Sequence, residues 1–362
     1  MSFFYEIDTS NSVHRDNHTF ELEFDYTNAD PHRPIPETLI RGLKRELAVG
    51  DTKLGEAKQD DNVVRKDDLD EDTKEARGFM VLGMHRSGTS LLTGLLVEGF
   101  GYNPGGPLIP PSQHNTKGYY ELIPAVQQND EWMKDQGITH KDVEKHDVER
   151  ALEATKNKTV STEYLNHTLA LLNDPTSLVP WLQKDPRMCI TMRTWLPYLT
   201  STKPAILFTY RHPLDVAKSL KKRDRTPLAK GLKLWIQFNQ AALQNSDDLC
   251  RVTTSNHAVM ADPLGETLRI VRDLKSICHV SAPPKVITKN ITNEFVDPAL
   301  QHGLDKMKKE NKRLLAMHGS CEVHDYDSKI EGAAKEEEME AYLMAMKMYC
   351  AFERGNFKRV DF

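Results

Sequence analysis

The amino-acid sequence predicts an α/β protein in which a parallel sheet is flanked by helices. An apolar run from Phe79 to Leu82 is followed by a glycine-containing turn and then by leucines at helical spacing. A second apolar run from Ala205 to Tyr210 leads into a helix predicted over about 214–222. Strands that alternate with helices in this order form parallel sheets, which bind ligands beyond the carboxyl ends of their strands.

Composition divides the chain into three parts. Residues 1–50 form an N-terminal extension, in which alternation at 19–24 predicts a strand and apolar spacing at 35–47 predicts a helix. Residues 51–78 form a charged linker, because more than half of them are charged and few are strongly apolar. Residues 79–362 contain both strand–helix units and form the main domain, which ends in a helix predicted to pack in the core.

The overall balance is that of a soluble protein with no preference for polyanions. Hydrophobic residues make up 39% of the 362 residues, and the net charge is −5, so neither nucleic acid nor a membrane surface is an expected partner. No apolar run approaches the roughly 20 residues that cross a bilayer. The scattered cysteines predict reduced thiols in a cytoplasmic protein, with neither disulfides nor a metal site: Cys189, Cys250, Cys278, Cys321 and Cys350.

The loop after the first strand has the composition of an anion-binding cradle. Its glycines let backbone N–H groups turn inward, and the N-terminus of the following helix adds partial positive charge. Arg86 supplies a cation, whereas Thr89 stands where an ATP-binding P-loop has lysine, so support for ATP and Mg²⁺ chemistry is lost. The residues expected to line the anion site are His85, Arg86, Ser87, Gly88, Thr89 and Ser90.

Three segments resemble sulfotransferases that use 3′-phosphoadenosine 5′-phosphosulfate (PAPS). Arg86-Ser87-Gly88-Thr89-Ser90 resembles their 5′-phosphosulfate loop, and the segment from Tyr210 to Ser219 resembles the signature that holds the 3′-phosphate. This resemblance implies that Arg211 and Ser219 bind that phosphate. The segment around Lys184-Asp185-Pro186 resembles the branch that includes tyrosylprotein and many bacterial sulfotransferases, and it implies that Lys184 stabilises charge on the leaving phosphate. The resemblance covers about residues 79–300 and implies a three-layer P-loop fold.

The acceptor side needs a base. The segment from Ser112 to Glu121 resembles the family segment that ends in Gly-aromatic-aromatic-Glu, which implies that Glu121 is the base. His114 is the alternative, because an imidazole titrates near neutral pH. The loop from Gly105 to Pro111 and nearby aromatic residues either line an acceptor pocket or pack in the core: Tyr119, Tyr120, Trp132 and Trp235.

The function expected from these residues is sulfuryl transfer by in-line displacement, without a metal. PAPS is the expected donor, 3′-phosphoadenosine 5′-phosphate (PAP) the product, and a hydroxyl or amine of a small molecule the acceptor. Arg86 and Lys184 would offset charge on the leaving oxygen. Two alternatives are a P-loop kinase or NTPase, and a non-catalytic PAP-binding module.

Overall fold

The computed structural model describes residues 76–113, 115–141, 146–200, 203–288, 291–292, 295 and 333–357. The strand and helix predicted within residues 1–50 lie outside this set, as does most of the predicted linker. The three-part division of the chain therefore stays a prediction.

The described chain alternates between strands and helices. In chain order the elements are β1 (Gly78–Leu82), α1 (Thr89–Phe100), α2 (Ile123–Asp135), α3 (Val148–Lys156), α4 (Glu163–Leu172), β2 (Trp181–Gln183), α5 (Met188–Trp195), β3 (Ala205–Tyr210), α6 (Pro213–Asp224), α7 (Leu228–Asn245), β4 (Arg251–Ser255), α8 (Asn256–Ala261), α9 (Pro263–Ser276) and α10 (Ala333–Glu353). A short 3₁₀ turn, Leu196–Tyr198, follows α5. Both predicted strand–helix units are present.

The four strands form one parallel sheet in the order β2-β1-β3-β4. Phe79 pairs with Leu182 on one side of β1, and Leu82 pairs with Phe208 on the other. Tyr210 pairs with Ser255 at the end of β4. Because all the pairs are parallel, the loops that follow the strands leave from the same edge of the sheet.

Successive strand residues point to opposite faces, and each face has its own helical layer. Met80 and Phe208 pack on one face with side chains from α2, α5, α6, α7 and α10. Val81 and Leu207 pack on the other with side chains from α1, α8 and α9. This arrangement confirms the prediction of a parallel sheet flanked by helices in three layers.

Helix boundaries follow from local sequence. α1 ends at Phe100, and the next residue, Gly101, caps it in a left-handed conformation with its N–H donating to the carbonyl of Val97. α6 begins with Pro213, which suits a first helical position because proline has no N–H to satisfy.

The last helix was predicted to pack in the core through Met339, Leu343, Met346 and Tyr349. In α10, Met346 and Tyr349 are buried and Met339 is partly buried against the core, but Leu343 is 43% exposed, so the prediction is wrong for that residue.

The prediction of five reduced cysteines is wrong for two of them. Cys250 and Cys278 form a disulfide with their Cα atoms 5.4 Å apart. They are 28 residues apart, and the folding of α9 against β4 brings them together, which no local sequence spacing shows. Cys189 and Cys350 are buried and take no part in that disulfide, and Cys321 lies outside the described residues.

Candidate active site at the carboxyl edge of the sheet

The predicted loop and the predicted arginine motif meet between β1 and β3. The chain leaves β1 towards β2 on one side and leaves β3 towards β4 on the other, so the crevice between β1 and β3 is a topological switch point. Residues 83–88 and Arg211 follow these two strands directly. The fold therefore brings the two predicted anion-binding segments together.

The backbone of the loop has two left-handed residues, Arg86 at φ 70° and Gly88 at φ 86°. A Cβ atom at Gly88 would collide with the side chain of Asn256, so the loop requires glycine there. Thr89 is buried as the first residue of α1, and the helix N-terminus follows the turn. This conformation presents the start of α1 to the crevice, where its partial positive charge favours an anion.

Arg86 contacts the predicted 3′-phosphate motif directly. Its Nε donates to Ser219 Oγ at 2.8 Å, and Arg211 Nη1 donates to the carbonyl of Arg86 at 3.5 Å. The carbonyl of Arg211 accepts a hydrogen bond from Trp235 Nε1 at 2.9 Å, and its guanidinium lies 3.6 Å from Asp215. Trp235 is fully buried, so of the two predicted roles, lining an acceptor pocket or packing in the core, it has the second. Its hydrogen bond also fixes the backbone of Arg211.

Positive charge is concentrated around Arg86. Burial lowers the pKa of Arg86 from its ordinary value, and the nearby guanidinium groups of Arg223 and Arg211 lower it further. Arg223 lies one turn after Ser219 on α6 and pairs with Asp224 at 2.6 and 2.8 Å. Arg211 and Arg223 thus place two further guanidinium groups near Arg86, and a cluster of this charge can hold a multiply charged anion even in a chain whose net charge is negative.

On the β2 side of the loop, Lys184 and Glu121 form a buried ion pair. Lys184 Nζ lies 2.7 Å from Glu121 Oε1 and 3.2 Å from Ser90 Oγ at the start of α1. The Lys184 side chain is 0% exposed and that of Glu121 is 10% exposed, so the pair is buried and Glu121 keeps a small exposed fraction. The predicted loop serine, lysine and glutamate thus form one hydrogen-bonded group.

Burial changes the titration of both partners of this pair. It raises the pKa of Glu121 above its ordinary value, although the charge of Lys184 acts in the opposite direction. Burial also lowers the pKa of Lys184, against the opposing effect of Glu121. A carboxylate with a raised pKa is a stronger base than an exposed glutamate, which suits proton removal near neutral pH.

The backbone of Glu121 is fixed by the proline-rich loop. Ile109 N–H donates to the carbonyl of Glu121 at 2.8 Å, and Ile123 N–H donates to the carbonyl of Pro107 at 2.9 Å. The preceding residue, Tyr120, has a left-handed backbone at φ 57° and is buried. The segment from Gly105 to Pro111 therefore supports the predicted base.

His85 packs against α7 and is close enough to Lys184 and Arg223 to be influenced by both charges. Its ring centroid is 5.4 Å from that of His140 and 5.5 Å from that of Phe238. Burial, followed by the charge of Arg187, holds the pKa of His85 well below its usual range, so the ring is neutral at pH 7. Its Nε2 atom is shielded from solvent and has no hydrogen-bond partner among the described residues.

Another buried polar atom of the loop also lacks a partner within the described part of the chain. Ser87 is fully buried and its Oγ makes no hydrogen bond there. By contrast, the N–H of Gly83 at the start of the loop donates to Cys189 Sγ at 3.2 Å. Burial raises the pKa of the Cys189 thiol to about 12, so the sulfur is an inert neutral acceptor behind the loop.

The remaining predicted residues divide into placed and unplaced ones. Trp132 is fully buried and donates to Thr155, so it packs in the core. Tyr119 forms a 2.6 Å hydrogen bond with Ser112. His114, the alternative base, lies outside the described residues.

Asn129 is a fully buried polar residue beside this site, and the sequence analysis gave it no role. The available signal was its position on the apolar face of α2, between Ala125 and Trp132 at helical spacing. Asn129 donates to Asp185 at 2.7 Å, next to Lys184. Its hydrogen-bond partners come from distant parts of the chain, which a sequence pattern does not reveal.

Within the described ranges, no group of three or more His, Cys, Asp or Glu side chains is arranged to hold a metal ion. No helix in the same ranges combines the length and apolar character that crossing a membrane requires.

Comparison with known proteins gives one structural similarity. The sulfotransferase domain from the Synechococcus PCC 7002 olefin synthase is similar over 75% of this chain and 96% of that chain, at 15% sequence identity and a TM-score of 0.34. A similarity at this TM-score adds no argument, and the fold assignment rests on the sheet order and register described above. No protein-family model matches the sequence, and no curated protein is significantly similar to it.

Proposed function

We propose that this protein is a sulfotransferase that moves a sulfuryl group from PAPS to a hydroxyl or amine of a small molecule. One observation carries the proposal: a cationic group and a buried base–lysine pair lie on the two sides of one glycine loop. Arg86, Arg211 and Ser219 form the first, and Lys184 and Glu121 form the second. The donor needs the first group, and proton removal from the acceptor needs the second.

The residues present fit a donor with two anionic ends. The buried hydroxyl of Ser87, which has no partner among the described residues, is a ready donor to an anion in the loop. A phosphate bound beside Arg86 would offset the unfavourable effect of the Arg223 and Arg211 charges on its guanidinium. The loop would hold the 5′-phosphosulfate, and Arg211 with Ser219 would hold the 3′-phosphate.

The chemistry that PAPS supplies is a sulfuryl group bonded to a phosphate that leaves readily. The chain contributes position and charge. Lys184 Nζ has three N–H groups, of which two face Glu121 and Ser90 within the described part of the chain, and the third would donate to the leaving oxygen. Arg86 adds a second cation from the loop.

Glu121 removes the acceptor proton in this proposal. Its Oε1 accepts the hydrogen bond from Lys184, so Oε2 is the oxygen that takes the proton. The ion pair keeps the carboxylate oriented while burial keeps it basic. In the transfer step the acceptor oxygen or nitrogen bonds to sulfur, the bond from sulfur to the phosphate oxygen breaks, and the acceptor proton moves to Glu121.

The test is transfer of ³⁵S from labelled PAPS to a panel of small alcohols and amines by the full chain, with PAP release measured in parallel. Labelled acceptor with an equal amount of PAP supports the proposal. Tight PAP binding without transfer to any acceptor would indicate a non-catalytic PAP-binding module. Phosphate transfer from ATP in the presence of Mg²⁺ would indicate a kinase or NTPase.

A further inference from the structure

Two buried polar side chains join the helix that follows Glu121 to the segment that carries Lys184. Asn129 lies in the second turn of α2, and Asp185 follows Lys184 directly. Both side chains are almost completely shielded from solvent, with Asn129 0% and Asp185 1% exposed. Asn129 Nδ2 donates to Asp185 Oδ2 at 2.7 Å, so one hydrogen bond connects the two elements.

The other atoms of this pair fix its polarity. Asn129 Oδ1 accepts hydrogen bonds from Thr191 Oγ1 at 2.7 Å and from Trp195 Nε1 at 2.8 Å. The indole N–H of Trp195 can only donate, so the amide cannot flip without losing that bond. Asp185 Oδ1 accepts from the N–H and from Nη1 of Arg187, each at 3.0 Å. The donor must be at residue 129 and the acceptor at residue 185.

We propose that Asn129 and Asp185 are positioning residues that hold Glu121 opposite Lys184 for proton removal and charge stabilisation. This inference rests on the proposed function, because it assigns these residues to the same site. A buried donor or acceptor that loses its partner is costly, so the link resists any sliding of α2 past the Lys184 segment. Two apolar side chains would fill the space without defining one arrangement.

The charge of Asp185 also acts on the pair directly. It raises the pKa of Glu121 and that of Lys184, whereas Arg187 lowers both. Arg187 is itself held by Asp130 at 2.7 Å, so it stays in place when Asp185 is neutralised. Asp185→Asn should therefore lower the pH at which Glu121 titrates, beyond any change in geometry.

The experiment exchanges the polarity of the link in the full chain, with Asn129→Asp, Asp185→Asn and the double variant carrying both. Asn129→Asp places two carboxylates face to face, whereas the amide that Asp185→Asn introduces must turn its NH2 group towards the donors of either Asn129 or Arg187. In the double variant, Asn at 185 donates to Asp at 129, while Thr191, Trp195 and Arg187 keep an acceptor. The net charge of the double variant equals that of the wild type, so recovery would report the restored link.

A matched control is Thr155→Val, which removes the buried hydrogen bond from Trp132 on the same helix and leaves the Asn129–Asp185 bond and its other partners intact. We expect this control to lower Tm without changing kcat or the pH profile. The single variants should lower kcat about 10- to 100-fold, as expected for a small misplacement of reacting groups, with PAP affinity unchanged. The double variant should recover most of kcat and return the pH midpoint towards the wild-type value.

A second measurement needs no turnover: the pH titration of Glu121 by NMR of ¹³C-labelled glutamate, assigned with Glu121→Gln. Movement of this titration in Asp185→Asn and its return in the double variant supports the inference. A titration that does not move, or single variants with wild-type kcat, would overturn it. A wild-type chain without transfer to any acceptor would overturn the proposed function. The NMR titration would still decide whether the Asn129–Asp185 hydrogen bond controls the titration of Glu121 in its ion pair with Lys184.

Discussion

The two sides of the glycine loop hold charge in opposite ways. On the β2 side, the transfer group (Glu121, Lys184 and Ser90) contains a buried ion pair between Lys184 and Glu121 that is 2.7 Å long. On the β3 side, the anchor group (Arg86, Arg211 and Ser219) is only partly buried, and its longest contact is 3.5 Å. The first group is built before any ligand arrives, and the second presents cations that a ligand can engage.

This difference separates catalysis from recognition. A preorganised buried pair pays no reorganisation cost during a reaction, so changes in the transfer group should act on kcat. Partly exposed guanidinium groups exchange water for phosphate oxygens, so changes in the outer part of the anchor group should act on donor affinity. Arg86 belongs to the anchor group by contact but lies in the loop shared by both.

The largest expected effect comes from the transfer group. Glu121→Gln should lower transfer about 100- to 10,000-fold, the range for a lost general base, while PAP binding is retained. Steady-state kinetics with labelled PAPS and calorimetry with PAP measure the two quantities. Glu98→Gln on α1 is a nearby control that should keep wild-type transfer. Transfer that survives Glu121→Gln would remove Glu121 as the base and favour His114.

Arg86 should come second, because it serves both groups. Arg86→Ala should lower kcat/KM about 100- to 1,000-fold, the effect of losing one charge-stabilising donor, while the protein remains folded by circular dichroism. Lys222→Ala, an exposed cation on α6, is the control for a simple loss of surface charge. An active Arg86→Ala variant would contradict the assignment of the loop.

The pH dependence of transfer tests whether Glu121 is a buried base. A base must be deprotonated, and burial raises the pKa of Glu121, so transfer should rise with pH through a value above the ordinary range of glutamate. Below that value kcat should fall about tenfold per pH unit. A profile with a midpoint at or below the ordinary value of an exposed glutamate would argue against a buried base.

Ser219 should show the smallest effect, because it contributes one hydrogen bond to the anchor group. Ser219→Ala should weaken PAP binding about fivefold, the equivalent of roughly 1 kcal/mol, with kcat nearly unchanged. The neighbouring exposed Lys218→Ala serves as the control. A loss confined to kcat would contradict the separation between the two groups.

The sequence predicted the central elements of this fold because their signals are local. β1 and β3 are continuous apolar runs, and each is followed by a helix with a glycine or proline at its start. β2 has only three residues, and β4 (Arg251–Ser255) is largely polar, so neither has a distinctive pattern. Their strand conformation depends on pairing with β1 and β3, which is a tertiary effect.

The same distinction applies to the candidate site. Arg86, Arg211 and Ser219 belong to short motifs, so sequence alone grouped them. The 2.7 Å contact between Lys184 and Glu121 joins residues 63 positions apart and depends on how α2 packs. The Cys250–Cys278 disulfide was mispredicted for the same reason, since cysteine spacing carries no information on how α9 meets β4.

The most direct test of the central claim is calorimetric titration of the full chain with PAP, compared with adenosine 5′-phosphate and with ATP and Mg²⁺. We predict tight binding of PAP, much weaker binding of the nucleotide that lacks the 3′-phosphate, and no binding of ATP. Preference for ATP, or equal affinity for both monophosphate and bisphosphate, would contradict the assignment of Arg86, Arg211 and Ser219 to a PAPS site.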